Sequence, residues 1–264
     1  MTIDGYSPRM LDLSSLSFSL KGECALVTAS TAGLGWAIAC GMAQQGAHII
    51  LNGRDAQRLQ HAQQCLVNAG YSASVWCQDV TELAGLEEAY ERHAKAATIL
   101  VNAAGVRLRQ GFLQLKSSQM VEHIQRNLSA MVVLSSCAAR HMTASKHGRI
   151  ISLSSIAGPI ARAGDAIYPI AKQGVEAMVR SLAVEFAPHG ITSNGIAPGP
   201  FATESNAQLQ ADPIKGQAML QRSPIGRWAQ PEEIIGAAVF LASRAASYVN
   251  GHVLVVDGGL SVSF

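Results

Sequence analysis

Seven short apolar runs punctuate the chain: CALVT, HIILNGR, SASVWCQDV, TILVNAAG, GRIISLSS, the start of ITSNGIAPGPFATE, and HVLVVDGG. Helically patterned stretches separate them, and strands alternating with helices predict parallel pairing with crossovers covering both faces of the sheet. The fold expected is α/β, a single Rossmann-type doubly wound domain with a seven-stranded parallel sheet. In such sheets ligands bind beyond the carboxyl ends of the strands. The residues just past each run therefore carry the functional information.

With 264 residues and 48% hydrophobic side chains, the chain has material for one large α/β domain. Residues 1–18 are Ser-rich with isolated apolar positions and read as an N-terminal arm ahead of a domain spanning 19–264. Residues 204–224 are polar and helix-forming, and are expected to act as a substrate lid. Only 14% of residues are charged and the net charge is +2, without runs of like sign, so a nucleic-acid footprint is absent. No window reaches the ~18 apolar residues of a membrane span, and the first residues lack the pattern of a secretory leader. The five cysteines are dispersed and the eight histidines unclustered. A reducing, cytoplasmic setting without a metal site is the expectation.

The first run ends in Thr28-Ala29-Ser30-Thr31-Ala32-Gly33-Leu34-Gly35 and leads into WAIACGMAQQG. Strand, glycine turn and helix in that order aim unpaired backbone N–H groups at an anion, typically a dinucleotide pyrophosphate. The second run closes in Asn52-Gly53-Arg54, with no carboxylate for an adenosine ribose and a guanidinium able to reach a 2′-phosphate. That favours NADP over NAD. Asp55 is expected to cap the next helix. Asp79-Val80 ends the third run, where Asp79 either accepts from an adenine amino group or caps a helix before Thr81. Asn102-Ala103-Ala104-Gly105 ends the fourth, and its small residues permit close backbone approach to a cofactor.

Asn127 interrupts an apolar helical pattern, SSQMVEHIQRNLSAMVVLSSCAARHM, at a cost in propensity that hints at a role. The fifth run delivers Ser154 and Ser155. Thirteen residues after Ser155 comes Tyr168, with Lys172 four further on. On one helix that spacing puts phenol and amine on a common face. A nearby ammonium lowers a phenol's pKa and makes it usable as a general acid or base. Pro169 restricts Tyr168 to the very start of that helix. Pro198-Gly199-Pro200-Phe201 then enforces a loop, and Thr203 follows within reach of a phosphate or carboxamide.

TASTAGLG, NAAG, Asn127, the Ser155/Tyr168-x-x-x-Lys172 constellation, NGIAPG and NGHVLVVDGG occur in fixed order, and with them residues from about 20 to 264 resemble the short-chain dehydrogenases/reductases. The resemblance implies hydride transfer between a nicotinamide cofactor and a secondary alcohol or ketone. It implies Tyr168 as proton donor or acceptor and Lys172 as its tuning partner and a ligand of the nicotinamide ribose. Ser155 would orient the substrate oxygen, Asn127 would hold a relay water, and Gly33 and Gly35 would line the pyrophosphate turn. The contacts expected for the cofactor are Thr28, Ser30, Thr31, Leu34, Asn52, Arg54, Asp79, Val80, Asn102, Ala103, Ala104, Gly105, Pro198, Gly199, Phe201 and Thr203. Ala29 departs from the family's first glycine, and Ala32 stands where NADP-preferring members often carry a basic residue.

Within the family, ILNGRDAQRL, NGIAPGPFATE, RWAQPEEIIGAAVFLASRAAS and YVNGHVLVVDGG are similar to gluconate 5-dehydrogenases. A sugar-acid carboxylate needs a cation near the tyrosine, for which Arg109 and Arg162 are the candidates. The alternatives are a 3-oxoacyl thioester reductase, a broad carbonyl reductase, or a dinucleotide-binding regulator without turnover. The resemblance also implies a homo-oligomer, tetramer or dimer.

Overall fold

The computed structural model describes residues 17–263. The expected N-terminal arm lies outside the described residues except for Ser17 and Phe18. The seven strands are β1 (Cys24–Val27), β2 (His48–Gly53), β3 (Ala73–Cys77), β4 (Ile99–Asn102), β5 (Gly148–Leu153), β6 (Ile191–Pro198) and β7 (Val253–Val256). They form one parallel sheet in the order β3-β2-β1-β4-β5-β6-β7. Strand order reverses between β1 and β4, and a cleft opens there at the carboxyl ends. Every residue of β4, β5 and β6 is buried, as strands covered on both faces must be; β1 and β2 open only at their ends, and the edge strands β3 and β7 are more widely open.

On one face pack α1 (Gly33–Gln44), α2 (Ala56–Asn68) and α9 (Ile235–Ala242). They contribute Ile38, Met42, Leu59, Leu66 and Leu241 to an apolar layer with Leu51, Val101 and Ile151 of the sheet. The other face is covered by α3 (Leu86–His93), α5 (Ala130–Ser145) and α6 (Tyr168–Phe186), with Leu86, Tyr90, Leu134 and Met142 against Leu26, Leu100 and Ile150. Asp55 caps α2 as expected, its carboxylate accepting from Gln57 N and Arg58 N, a contact worth about 1 kcal/mol. Among the described residues no helix is long and apolar enough to cross a membrane.

Three local outcomes differ from the reading of the sequence. The segment LAGLEEAYERHAKA is helical only over α3, because Gly85 starts it with a left-handed φ of 71°. Asp79 caps no helix: its carboxylate holds a turn by accepting from Thr81 N (3.0 Å) and Thr81 Oγ1 (2.7 Å). The helix carrying Asn127 is not uniform. It runs as α4 (Ser117–Ile124), then a π-helical turn over Gln125–Ser129, then α5. A π turn admits one extra residue into an α-helix and re-aims the side chains within it.

Candidate active site

A cavity of about 560 Å³ fills the cleft at the strand ends. The β1–α1 turn forms its floor. Ala29 holds a left-handed φ of 50°, and Gly35 sits so close that a Cβ would lie 2.4 Å from the Ala29 carbonyl oxygen. Neither a side-chain cap nor an acidic residue occupies the start of α1, which leaves its first-turn N–H groups directed at the cavity. Of the positions expected there, Gly33, Leu34, Gly35, Ala103, Gly105, Lys172, Pro198, Gly199, Phe201 and Thr203 line it, with Tyr168 and Ser155 at the far wall.

Four expected cofactor contacts, Thr28, Ser30, Asn52 and Asn102, do not line the cavity: they are buried beneath its floor. Thr28 Oγ1 accepts from Ala103 N (2.8 Å) and Ala104 N (3.0 Å), and Ser30 Oγ accepts from Asn52 N. Asn52 Nδ2 donates to Trp76 O, and Asn102 Nδ2 to the Ser135 and Ser152 hydroxyls. These bonds fix the strand ends on which the cavity rests. Thr31, Ala104 and Val80 are likewise not part of the lining. At the outer end the exposed Arg54 guanidinium lies 3.9 Å from the Asp79 carboxylate.

Tyr168 opens α6 with Pro169 behind it, where the missing N–H costs nothing. One turn on, the buried Lys172 donates from Nζ to Leu153 O (2.7 Å) and stands 5.6 Å from the centre of the Tyr168 ring. Burial pulls the Lys172 ammonium down to about 8. The phenol departs from expectation. Burial raises the Tyr168 pKa, and the strongest opposing influence is the Arg107 guanidinium rather than Lys172, followed by the Ser155 hydroxyl. Ser154 and Ser155 separate clearly. Ser154 Oγ donates to Glu176 Oε1 (2.9 Å), whereas Ser155 faces the cavity and its Oγ accepts from Ala157 N (3.1 Å). Asn127, fully buried in the π turn, accepts at Oδ1 from Val106 N (3.0 Å) and donates from Nδ2 to His123 O.

Beyond Ser155 the cleft continues into a second cavity of about 160 Å³, lined by Arg107, Arg109, Arg162 and Arg222 together with Ile160, Leu209, Met219 and Trp228. Both predicted arginines are thus present, and two more were missed. The Arg107 guanidinium bonds the buried Asp165 carboxylate and lies 4.7 Å from the centre of the Tyr168 ring. His123, buried in α4, meets the same ring edge-on at 6.0 Å. The segment expected as a lid folds as Glu204–Asn206, α7 (Ala207–Ala211) and α8 (Lys215–Gln221), and it contributes Asn206, Leu209 and Met219 to this cavity.

A family model described as enoyl-(acyl carrier protein) reductase matches residues 28–261. The chain is 39% identical to the gluconate 5-dehydrogenase of Gluconobacter oxydans, over 93% of this chain and 97% of that one. Identity to the 5-keto-D-gluconate 5-reductase of Escherichia coli strain K12 is 36%, over 93% and 98%. Among solved structures, a gluconate 5-dehydrogenase from Burkholderia cenocepacia in complex with NADP and tartrate superposes with a TM-score of 0.90 at 35% identity, covering 95% of this chain and all (100%) of that one. The chain belongs to the short-chain dehydrogenase/reductase family.

As a short-chain dehydrogenase/reductase it is a nicotinamide-dependent oxidoreductase acting on CH–OH donors. The residues present fit such a cofactor. The missing Cβ at Gly35 lets the start of α1 pack directly against the Ala29 carbonyl, which shapes the turn that would cradle a pyrophosphate. The same holds at Gly105, where a Cβ would meet Asn127 Oδ1 at 2.9 Å and push the β4 loop off the π turn.

Proposed function

We propose that this enzyme interconverts a secondary alcohol and a ketone on a polyhydroxy acid of the gluconate class, with NADP(H) preferred over NAD(H). The observation that carries the reading is the arginine-lined cavity opening directly off Ser155 and Tyr168. A sugar-acid carboxylate pairs with guanidinium in a two-point geometry that also fixes the orientation of the chain of hydroxyls. The relatives named above support the same substrate class.

The backbone of Gly33, Leu34 and Gly35 would hold the cofactor's pyrophosphate, Lys172 its nicotinamide ribose, and Arg54 a 2′-phosphate; Phe201 and Thr203 close the opposite wall. When bound, the nicotinamide accepts or supplies the hydride. Tyr168 takes the hydroxyl proton during oxidation and returns it during reduction. Ser155 orients the substrate oxygen beside the phenol. Arg107 places positive charge near the phenolate form and favours it, opposing its burial, and Lys172 stands 5.6 Å from the ring centre one turn along the helix. Asn127 anchors the β4 loop against the π turn and stands where a relay water would be held.

A 3-oxoacyl thioester needs a long apolar groove, whereas the second cavity is short and ringed by guanidiniums. A homo-oligomer is supported by exposed apolar side chains on the helices that carry Asn127 and Tyr168, namely Val121, Val132, Ile170 and Val184. A cytoplasmic setting is supported by five cysteines that are all free thiols.

Initial rates with NADP and NAD against gluconate, 5-ketogluconate and a short 3-oxoacyl thioester test the reading. Turnover of the sugar acids with NADP favoured is expected. Preference for the thioester would overturn it.

A further inference from the structure

The second cavity carries more positive charge than one carboxylate can neutralise. Four guanidiniums, of Arg107, Arg109, Arg162 and Arg222, line it, and no acidic residue does. Among the described residues one carboxylate lies within 4.0 Å of any of the four, that of Asp165, buried behind Arg107 and shared with Arg162. Arg109 and Arg222 have no such partner. Arg109 is further burdened: burial and the neighbouring Arg107 and Arg162 all disfavour its charged form. Like charges gathered in a site from which substrate displaces water are costly unless an anion arrives with the substrate.

The four come from three separate segments of the chain. Arg107 and Arg109 come from the loop after β4 and bear on the Tyr168 phenol. Arg162 comes from the loop ahead of α6, and Arg222 ends α8 in the lid segment. A carboxylate held by Arg107 and Arg109 leaves Arg222 without a counter-ion and Arg162 with only its share of Asp165.

We propose that the preferred substrate is a polyhydroxy acid with a second anionic group, a carboxylate or a phosphate, at its other end, held by Arg162 and Arg222. This rests on the polyhydroxy-acid reading above and sharpens it. Two-point pairing of each anion with guanidinium would set which hydroxyl reaches Tyr168 and so select both substrate length and the carbon oxidised. A charge-assisted contact of this kind is worth about tenfold or more in kcat/KM.

The test compares gluconate, glucarate and 6-phosphogluconate, with a short 3-oxoacyl thioester as control, on the wild-type enzyme and on Arg222→Gln and Arg162→Gln. At least one dianion is expected to exceed gluconate in kcat/KM by about tenfold. The ratio of dianion to gluconate is expected to fall by a similar factor in either variant, and the advantage to shrink with added salt. Glucarate and 6-phosphogluconate distinguish carboxylate from phosphate as the second group. Oxidation of gluconate with neither dianion preferred, or variants that leave the ratio unchanged, would overturn this proposal alone. Turnover of the thioester and of none of the acids would overturn it together with the reading on which it rests.

Discussion

The Arg107 guanidinium lies 4.7 Å from the centre of the Tyr168 ring, tied there by the buried carboxylate of Asp165. It is the foremost influence opposing the burial that raises the phenol's pKa. Replacing it with glutamine keeps some polarity and removes the charge, so the pKa rises further. In the alcohol-oxidising direction, which needs the phenolate, the ascending limb of the pH–rate profile, along which the phenol loses its proton, should move to higher pH in Arg107→Gln. Every tenfold weakening of the phenol as an acid costs about tenfold in neutral-pH rate. Profiles of kcat/KM for both enzymes check this; superimposable limbs would contradict it.

Lys172 should weaken the fold while it serves the site. Its ammonium is pulled by burial from 10.5 to about 8, so between those values the unfolded chain binds the proton more tightly than the folded one. The resulting penalty is fully present below pH 8 and is relieved as pH rises toward 10.5. It amounts to roughly 3 kcal/mol, against about 1 kcal/mol for the bond to Leu153 O. Lys172→Met should therefore be inactive yet more stable at pH 7 by roughly 2 kcal/mol, with the gain shrinking toward pH 10. Denaturant unfolding of both proteins across that range measures the difference, and a gain independent of pH would refute the assignment.

Gly35 sets propensity against contact. Alanine is favoured over glycine inside a helix by about 1 kcal/mol, but here its Cβ would stand 2.4 Å from the Ala29 carbonyl. That clash is with backbone already held in a left-handed conformation, so the turn must move. Gly35→Ala should lower the melting temperature and weaken dinucleotide binding by about tenfold or more. A variant of unchanged Tm and affinity would show that the turn is more compliant than its geometry indicates.

Arg54 is exposed, and its 3.9 Å pairing with Asp79 is the kind of surface contact worth about 0–1 kcal/mol, easily surrendered to a phosphate. Arg54→Ala should lower kcat/KM for NADP by about tenfold and alter that for NAD much less. Equal losses with both cofactors would remove Arg54 from phosphate recognition.

The seven parallel strands and the place of the cleft were legible because apolar runs buried on both faces have few other solutions. Tyr168, Lys172 and Ser155 were legible because spacing along one helix and one strand end fixes their proximity. The π turn at Asn127 was not, since admitting one extra residue leaves no trace in apolar periodicity. Arg107 and Asp165 are separated by 58 positions, and each reads alone as a solvated loop residue. The burial of Thr28, Ser30, Asn52 and Asn102 also escaped notice: nothing local in the sequence records that their side chains tie neighbouring strands together. Arg109, in the loop after the fourth strand, and Arg162, between the serine and the tyrosine, were legible as candidate cations near the phenol, whereas Arg222 enters from the lid segment, whose docking no local pattern records.

The most direct test is Tyr168→Phe, assayed for gluconate oxidation with NADP alongside titration of NADPH fluorescence. The proton transfer assigned to the phenol predicts a loss in kcat of about 10²- to 10⁴-fold with the dissociation constant of NADPH within about twofold of wild type. Turnover at the wild-type rate in that variant would contradict it.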